Sequence, residues 1–160
     1  MPNNLRCLTI HQPWASCIAV GPKRIENRTF EPPASLIGNL LAIHAGKRVD
    51  GDGLIACREL GFEIAPDDMP ISAIIAVATV AGWVSQSGGS FPRWGMLNDH
   101  YRQDPWYNQR PDNIGWVLRD VVALPEPVPC KGMQGVWWAD QVTVAKAFEQ
   151  IEAAKAVTHG

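Results

Sequence analysis

No uninterrupted apolar run in this chain approaches the roughly 20 residues that a membrane-spanning helix requires. The opening segment MPNNLRCLTI also lacks the long apolar core of a secretory leader. These two absences point to a cytoplasmic protein with no membrane partner. Charge of one sign is equally scarce. No block of like charges stands ready as a nucleic-acid arm or an acidic solvating tail, and a formal charge of −2 does not suit a strongly basic duplex binder. Cysteine is sparse and scattered: Cys7, Cys17, Cys57 and Cys130 form no CxxC or CxxxC pair, which disfavours a zinc ribbon or a thioredoxin-like motif. Reduced, mostly buried thiols are the natural expectation. The patterns GxxxxGK[ST], GxGxxG after a strand, HExxH and GxSxG are missing too. Each would have placed phosphate, dinucleotide, zinc or nucleophile chemistry on a known turn, so no metal and no cofactor is expected.

What is present is ordinary globular material: 160 residues, 46% apolar and 19% charged, enough for one compact core. The charge is unevenly spread. Residues 1–50 carry six Lys/Arg against three acids, whereas the remainder carries eight against thirteen. A locally positive face on an acidic body is one reading, and ordinary surface scatter is the other. Seven tryptophans are many for this length, and composition does not separate core indoles from stacking surfaces.

Leu8–His11 alternates apolar with polar and reads as a first strand. Pro13 suits a first helical turn, because its missing N–H is not needed there, and a short helix follows over Trp14–Val20. Gly21 is placed to end that helix in the left-handed conformation, and Pro22 prevents continuation. Arg24–Thr29 is a second extended candidate, Asn39–His44 a third strand with a turn over Ala45–Arg48, and Gly53–Leu60 a short helix stopped at Gly61. Ser72–Val80 is the most strand-like run, dense in β-branched residues. Residues 85–113 form a long polar segment studded with Trp94, Tyr101, Trp106 and Tyr107; such loops are commonly functional or ordered by their own aromatics. Trp116–Leu124 and Val136–Trp138 are further strands, joined by a proline-rich connector, and Asp140 caps a terminal helix running to about Ala156 with Val144, Phe148 and Ile151 on one face. The expected class is α+β: a small mixed or antiparallel β-barrel over 1–139, then a C-terminal helix and tail over 140–160.

The most specific block is LTIHQPWASCIAVGPKRIENR, residues 8–28. Gln12-Pro13-Trp14-Ala15 is followed by Gly21-x-Lys23-x-Ile25-Glu26-x-Arg28, then by Leu41-Ala42-Ile43-His44-Ala45 with Gly46-Lys47. Toward the C-terminus come Gly115-Trp116-Val117-Leu118, Asp120-Val121, Pro127–Gly132 and Gly135-Val136-Trp137. With these ordered blocks the chain resembles the ASCH family over about residues 7–138. The resemblance implies a PUA-like β-barrel with flanking helices and a cleft beside the GxKxxExR segment. Members of the family are variously linked to nucleic-acid binding and to hydrolysis of small modified nucleosides.

The residues also have a direct physical reading. Along a strand Arg24, Glu26 and Arg28 share a face, and Lys23 sits at the strand's mouth. Cations around one carboxylate hold it ionised, so Glu26 suits accepting a base amino hydrogen, while Lys23 and Arg28 meet phosphate or a carbonyl oxygen. A surface ion-pair ladder is the plain alternative. Trp14 beside Gln12 offers a stacking face next to a base-pairing amide, or else a tryptophan closing the core. His44 is a ligand donor or a structural strand-end histidine; Gly46-Lys47 is an anion nest or a turn. Lys131, by the resemblance, comes near the cleft. The ligand-binding candidates are therefore Gln12, Trp14, Lys23, Glu26, Arg28, His44, Lys47 and Lys131. The expected partner is single-stranded RNA or DNA, or a modified nucleoside or nucleotide. The alternative is an amidohydrolase of N4-acylated cytidines, with Lys23 and Glu26 in its active site. Small ASCH members with that activity resemble this chain in the GxKxx segment, but Glu26 stands where they carry a catalytic threonine.

Overall fold

The computed structural model describes residues 2–87 and 93–158. In chain order the elements are β1 (Arg6–Gln12), α1 (Trp14–Ala19), β2 (Ile25–Arg28), β3 (Leu40–Val49), α2 (Gly51–Glu59), β4 (Ala73–Ser85), β5 (Ile114–Pro129), β6 (Val136–Trp138) and α3 (Gln141–Thr158), with short 3-10 turns at Ala34–Leu36, Pro66–Asp68 and Asp99–Gln103. The strands form one six-stranded sheet in the order β2-β5-β4-β3-β1-β6. It is mixed: β1 runs parallel to β3 and antiparallel to β6, and β2 is antiparallel to β5. The α+β expectation holds, including the C-terminal helix. The strand order has β2 and β6 at its two ends, so the sheet is not closed and "barrel" describes it loosely.

Local chemistry accounts for most of these elements. β4 is buried along nearly its whole length, the pattern of a strand covered on both faces, which its run of Ile, Val and Ala suits. The three prolines of the expected connector lie inside β5. The β2 register ends at Val117, so these N–H-less residues fall where β2 no longer asks for a donor. Asp140 caps α3 as the sequence indicates: its Oδ1 accepts the Thr143 N–H at 2.9 Å and its Oδ2 accepts the Thr143 hydroxyl at 2.8 Å. Those bonds hold the Asp140 carboxyl below its ordinary value. The buried face of α3 is Thr143, Val144, Ala147, Phe148 and Ile151, at helical spacing.

Two local expectations fail. The turn over Ala45–Arg48 does not occur; β3 runs on to Val49. A shift in the β1 register between Ile10 and Gln12 lets Gln12 pair with Val49, and the Asp50 N–H closes the end on the Gln12 carbonyl at 2.7 Å. Gly21 is not left-handed, unlike Gly61, whose φ of +87° does end α2. Gly21 is small for a steric reason: a Cβ there would lie 2.7 Å from the Phe62 ring and 2.8 Å from the Cys17 carbonyl oxygen.

The chain divides into two compact units. The first comprises Met1–Pro22, Leu41–Ala78 and Val121–Gly160; its core includes Leu8, Ile10, Ile18, Leu41, Ile43, Ile74, Phe148 and Ile151. The second comprises Lys23–Leu40 and Thr79–Asp120, centred on the fully buried Trp83 and Trp116 with Ile25, Leu36 and Val80. Within it, the described part of the 85–113 segment is ordered by its aromatics and amides. The Trp83 indole donates to the Trp94 carbonyl at 3.0 Å, and the Tyr107 hydroxyl to the Asn113 carbonyl at 3.2 Å. Residues 88–92 of that segment lie outside the described residues.

Candidate ligand-binding site

β2 carries the charged segment, and its register sets Glu26 opposite Trp116 on β5. Trp116, its neighbour across the strands, is fully buried, with its indole N–H donated to the Phe30 carbonyl at 2.8 Å and the Phe30 ring edge-on at 5.5 Å. The Lys23 side chain is 2% exposed and that of Glu26 8%, so neither is a surface ion-pair partner. The Lys23 ammonium donates to the Ile25 carbonyl and, at 2.6 Å, to Glu26 Oε2. An ammonium removed from water needs such acceptors, and the strand start supplies two within three residues. The other carboxylate oxygen, Oε1, lies 3.4 Å from Arg28 Nε, on a side chain 24% exposed. The Arg24 guanidinium turns back to the Lys23 carbonyl at 2.8 Å. Of the expected triad of Arg24, Glu26 and Arg28, the structure thus brings Glu26 and Arg28 together and replaces Arg24 with Lys23.

Asn27, which sequence reasoning passed over, anchors the same strand. Its Oδ1 accepts the Asn108 N–H at 2.9 Å and the Asn113 amide at 2.8 Å, and its Nδ2 donates to the Trp106 carbonyl at 2.9 Å. A half-buried side chain meeting two backbone groups and one side-chain amide ties β2 to the aromatic segment. The only sequence signal was the concentration of Asn at 108 and 113 near two tryptophans.

The remaining candidates lie in the first unit. Gln12 is fully buried with both ends of its amide used: Oε1 accepts the Ser16 N–H at 3.0 Å and Nε2 donates to the Pro70 carbonyl at 2.7 Å. It pins the start of α1. Trp14 is half-buried, its indole N–H 3.4 Å from Asp50 Oδ2. Lys47 and Lys131 are exposed.

His44 is 2% exposed, with Nε2 at 2.9 Å from the Cys130 carbonyl and Nδ1 at 3.2 Å from the Thr9 hydroxyl. A carbonyl only accepts, so Nε2 carries the proton and Nδ1 accepts from Thr9, which in turn accepts the Trp137 indole N–H at 3.1 Å. Gly132 covers this chain: a Cβ there would meet His44 Cε1 at 2.5 Å and Thr9 Oγ1 at 2.7 Å. Burial pushes the His44 ring below its ordinary value of 6.5, partly opposed by the Cys130 carbonyl. The unfolded chain therefore binds this proton more readily than the folded one. The neutral ring's contribution is fully present above pH 6.5 and is lost as pH falls toward the lower folded value. In melts across that window the wild type is expected to lose stability, and His44→Gln to lack that component; parallel profiles would remove the assignment.

Among the described residues, no group of three or more His, Cys, Asp or Glu is placed to hold a metal ion, and no helix is long and apolar enough to cross a membrane. The chain matches no family model and no curated protein. Solved structures do match its fold, ASCH proteins among them. ASCH from Zymomonas mobilis is 17% identical, with a TM-score of 0.52 over 92% of this chain and 96% of that one. A tyrosine-to-phenylalanine variant of that protein gives 17%, 0.52, 90% and 96%, and a serine-to-alanine variant 16%, 0.52, 93% and 98%. The fold of this chain is therefore the ASCH fold, in agreement with the sequence blocks that resemble the family. At such identity the likeness concerns the fold.

Proposed function

We propose that the chain binds single-stranded nucleic acid or a nucleotide-like ligand through the Lys23–Arg28 segment. The observation that carries this reading is the buried Lys23–Glu26 contact of 2.6 Å with Arg28 at the other carboxylate oxygen. Burying such charges seldom adds stability over apolar residues of the same size, so a buried ion pair kept in the fold supports a functional role. Lys23 acts as the positioning residue, orienting the Glu26 carboxyl group through the 2.6 Å contact with Oε2. Glu26 Oε1 accepts an exocyclic amino hydrogen of a base, and the partly exposed Arg28 meets a phosphate or base carbonyl oxygen. Gln12 and His44 have their polar atoms engaged within the protein.

The test is fluorescence anisotropy with labelled short single-stranded RNA and DNA at two salt concentrations, on wild type and Arg28→Ala. The low net charge implies few phosphate contacts, hence a shallow salt slope. Loss of one charge-assisted contact is expected to weaken binding by about tenfold or more. Unchanged affinity removes the site. The same short Lys–Glu contact supports a second reading, in which Glu26 activates water and Lys23 steadies an oxyanion on an N4-acylated cytidine. N4-acetylcytidine turnover, followed by absorbance and lost in Glu26→Gln, would favour that reading over simple binding.

A further inference from the structure

Cys17 on α1 and Cys57 on α2 are both buried, and their sulfurs stand 2.8 Å apart. The two helices belong to the same unit and pack together. A disulfide has its sulfurs at about 2.05 Å, so closure needs a movement of less than about 1 Å. Burial alone would leave such a pair inert, but Cys57 is not sealed. It lines a cavity of about 110 Å³ whose walls are Pro13, Leu54, Phe62 and Ile64. Arg58 and Glu63 also line it; they form an ion pair at 3.1 Å with both side chains largely exposed, which marks the cavity's mouth. Cys17 is absent from that lining. The two thiols are therefore unequal: Cys57 borders the cavity and Cys17 does not.

We propose that Cys57 and Cys17 form a peroxide-oxidised dithiol site, with Cys57 the attacked thiol and Cys17 the resolving one. The Cys57 thiolate attacks one oxygen of a hydroperoxide and the O–O bond breaks. Hydroxide leaves and takes up the thiol proton as water, and Cys57 becomes a sulfenic acid. The Cys17 sulfur then attacks the sulfenic sulfur, the S–O bond breaks, and a second water departs with the Cys17 proton. Two thiols lose two electrons and one hydrogen peroxide gains them, giving a disulfide and two waters. The cavity has room for a few water-sized molecules, which admits hydrogen peroxide and excludes a bulky disulfide such as oxidised glutathione. The product ties α1, and with it Trp14, covalently to α2. The inference is independent of the function proposed for the Lys23–Arg28 segment.

The test treats native wild-type protein with hydrogen peroxide or with oxidised glutathione, blocks remaining thiols under denaturing conditions, and maps the peptides by mass spectrometry. The expected result is a Cys17–Cys57 linked peptide, reversed by dithiothreitol and formed at least roughly tenfold more slowly with oxidised glutathione. In Cys17→Ser, dimedone is expected to capture a sulfenic acid at Cys57. The wild-type map decides the matter even if that variant does not fold. Oxidation first at Cys7 or Cys130, over-oxidation of Cys57 without the link, equal rates with both oxidants, or no oxidation at either thiol would each overturn the proposal.

Discussion

Replacing Lys23 with alanine is expected to destabilise the protein by about 3–5 kcal/mol, the usual consequence of breaking a buried ion pair. Glu26 is 6% exposed, so the variant leaves a largely buried carboxylate without the ammonium 2.6 Å from its Oε2, and Arg28 reaches only the other oxygen, at 3.4 Å. The Ile25 carbonyl loses its donor in the same step. The opposite design follows from the same physics: Lys23→Met combined with Glu26→Leu removes both charges and keeps similar volume, and is expected to recover most of the loss. Urea midpoints at constant slope measure both variants. A Lys23→Ala cost below about 1 kcal/mol would place the pair in water, where exposed ion pairs belong.

Trp116→Ala is expected to cost a similar amount, about 3–5 kcal/mol, through the cavity left by a wholly buried indole. The loss has three parts here: the apolar area, the edge-on contact with Phe30, and the hydrogen bond to the Phe30 carbonyl. Trp116→Phe separates them, because it keeps a ring but strands that carbonyl, for an expected cost of about 1–3 kcal/mol. Glu26 and Trp116 are directly opposed in the β2–β5 register, so the Ala variant should also weaken ligand binding beyond its effect on folding. Thermal melts and anisotropy on the same samples distinguish the two effects. A Trp116→Ala protein as stable as wild type would mean that the buried indole does not hold this part of the core.

Much of this architecture could be read from local chemistry. The alternation of Leu8–His11, the Val136–Trp138 run and the Asp140 cap each carry their signal within a few residues, and the corresponding elements stand where expected. What escaped depends on distant partners. The Ala45–Arg48 segment has turn-like composition, but pairing of Gln12 with Val49 keeps it extended. Gly21 looks like a helix terminator, and only the Phe62 ring explains its size. The site divides in the same way. Spacing alone set Glu26 among cations, since alternation along a strand is a local rule. It did not reveal that Lys23 is buried, because burial is set by the packing of the whole chain and not by neighbours in sequence. Nor did it reveal that Gln12 and His44 are occupied, because their acceptors are the carbonyls of Pro70 and Cys130, far along the chain.

The central claim is that Glu26, held by Lys23, reads an amino group on a nucleobase. The most direct measurement is competition of free nucleoside monophosphates against a labelled single strand, on wild type and Glu26→Gln. Wild type is expected to prefer cytidine and adenosine monophosphates over uridine monophosphate, and Glu26→Gln to lose that preference while still folding. Equal competition by all three on the wild type, or a preference that survives in Glu26→Gln, would contradict recognition through this carboxylate.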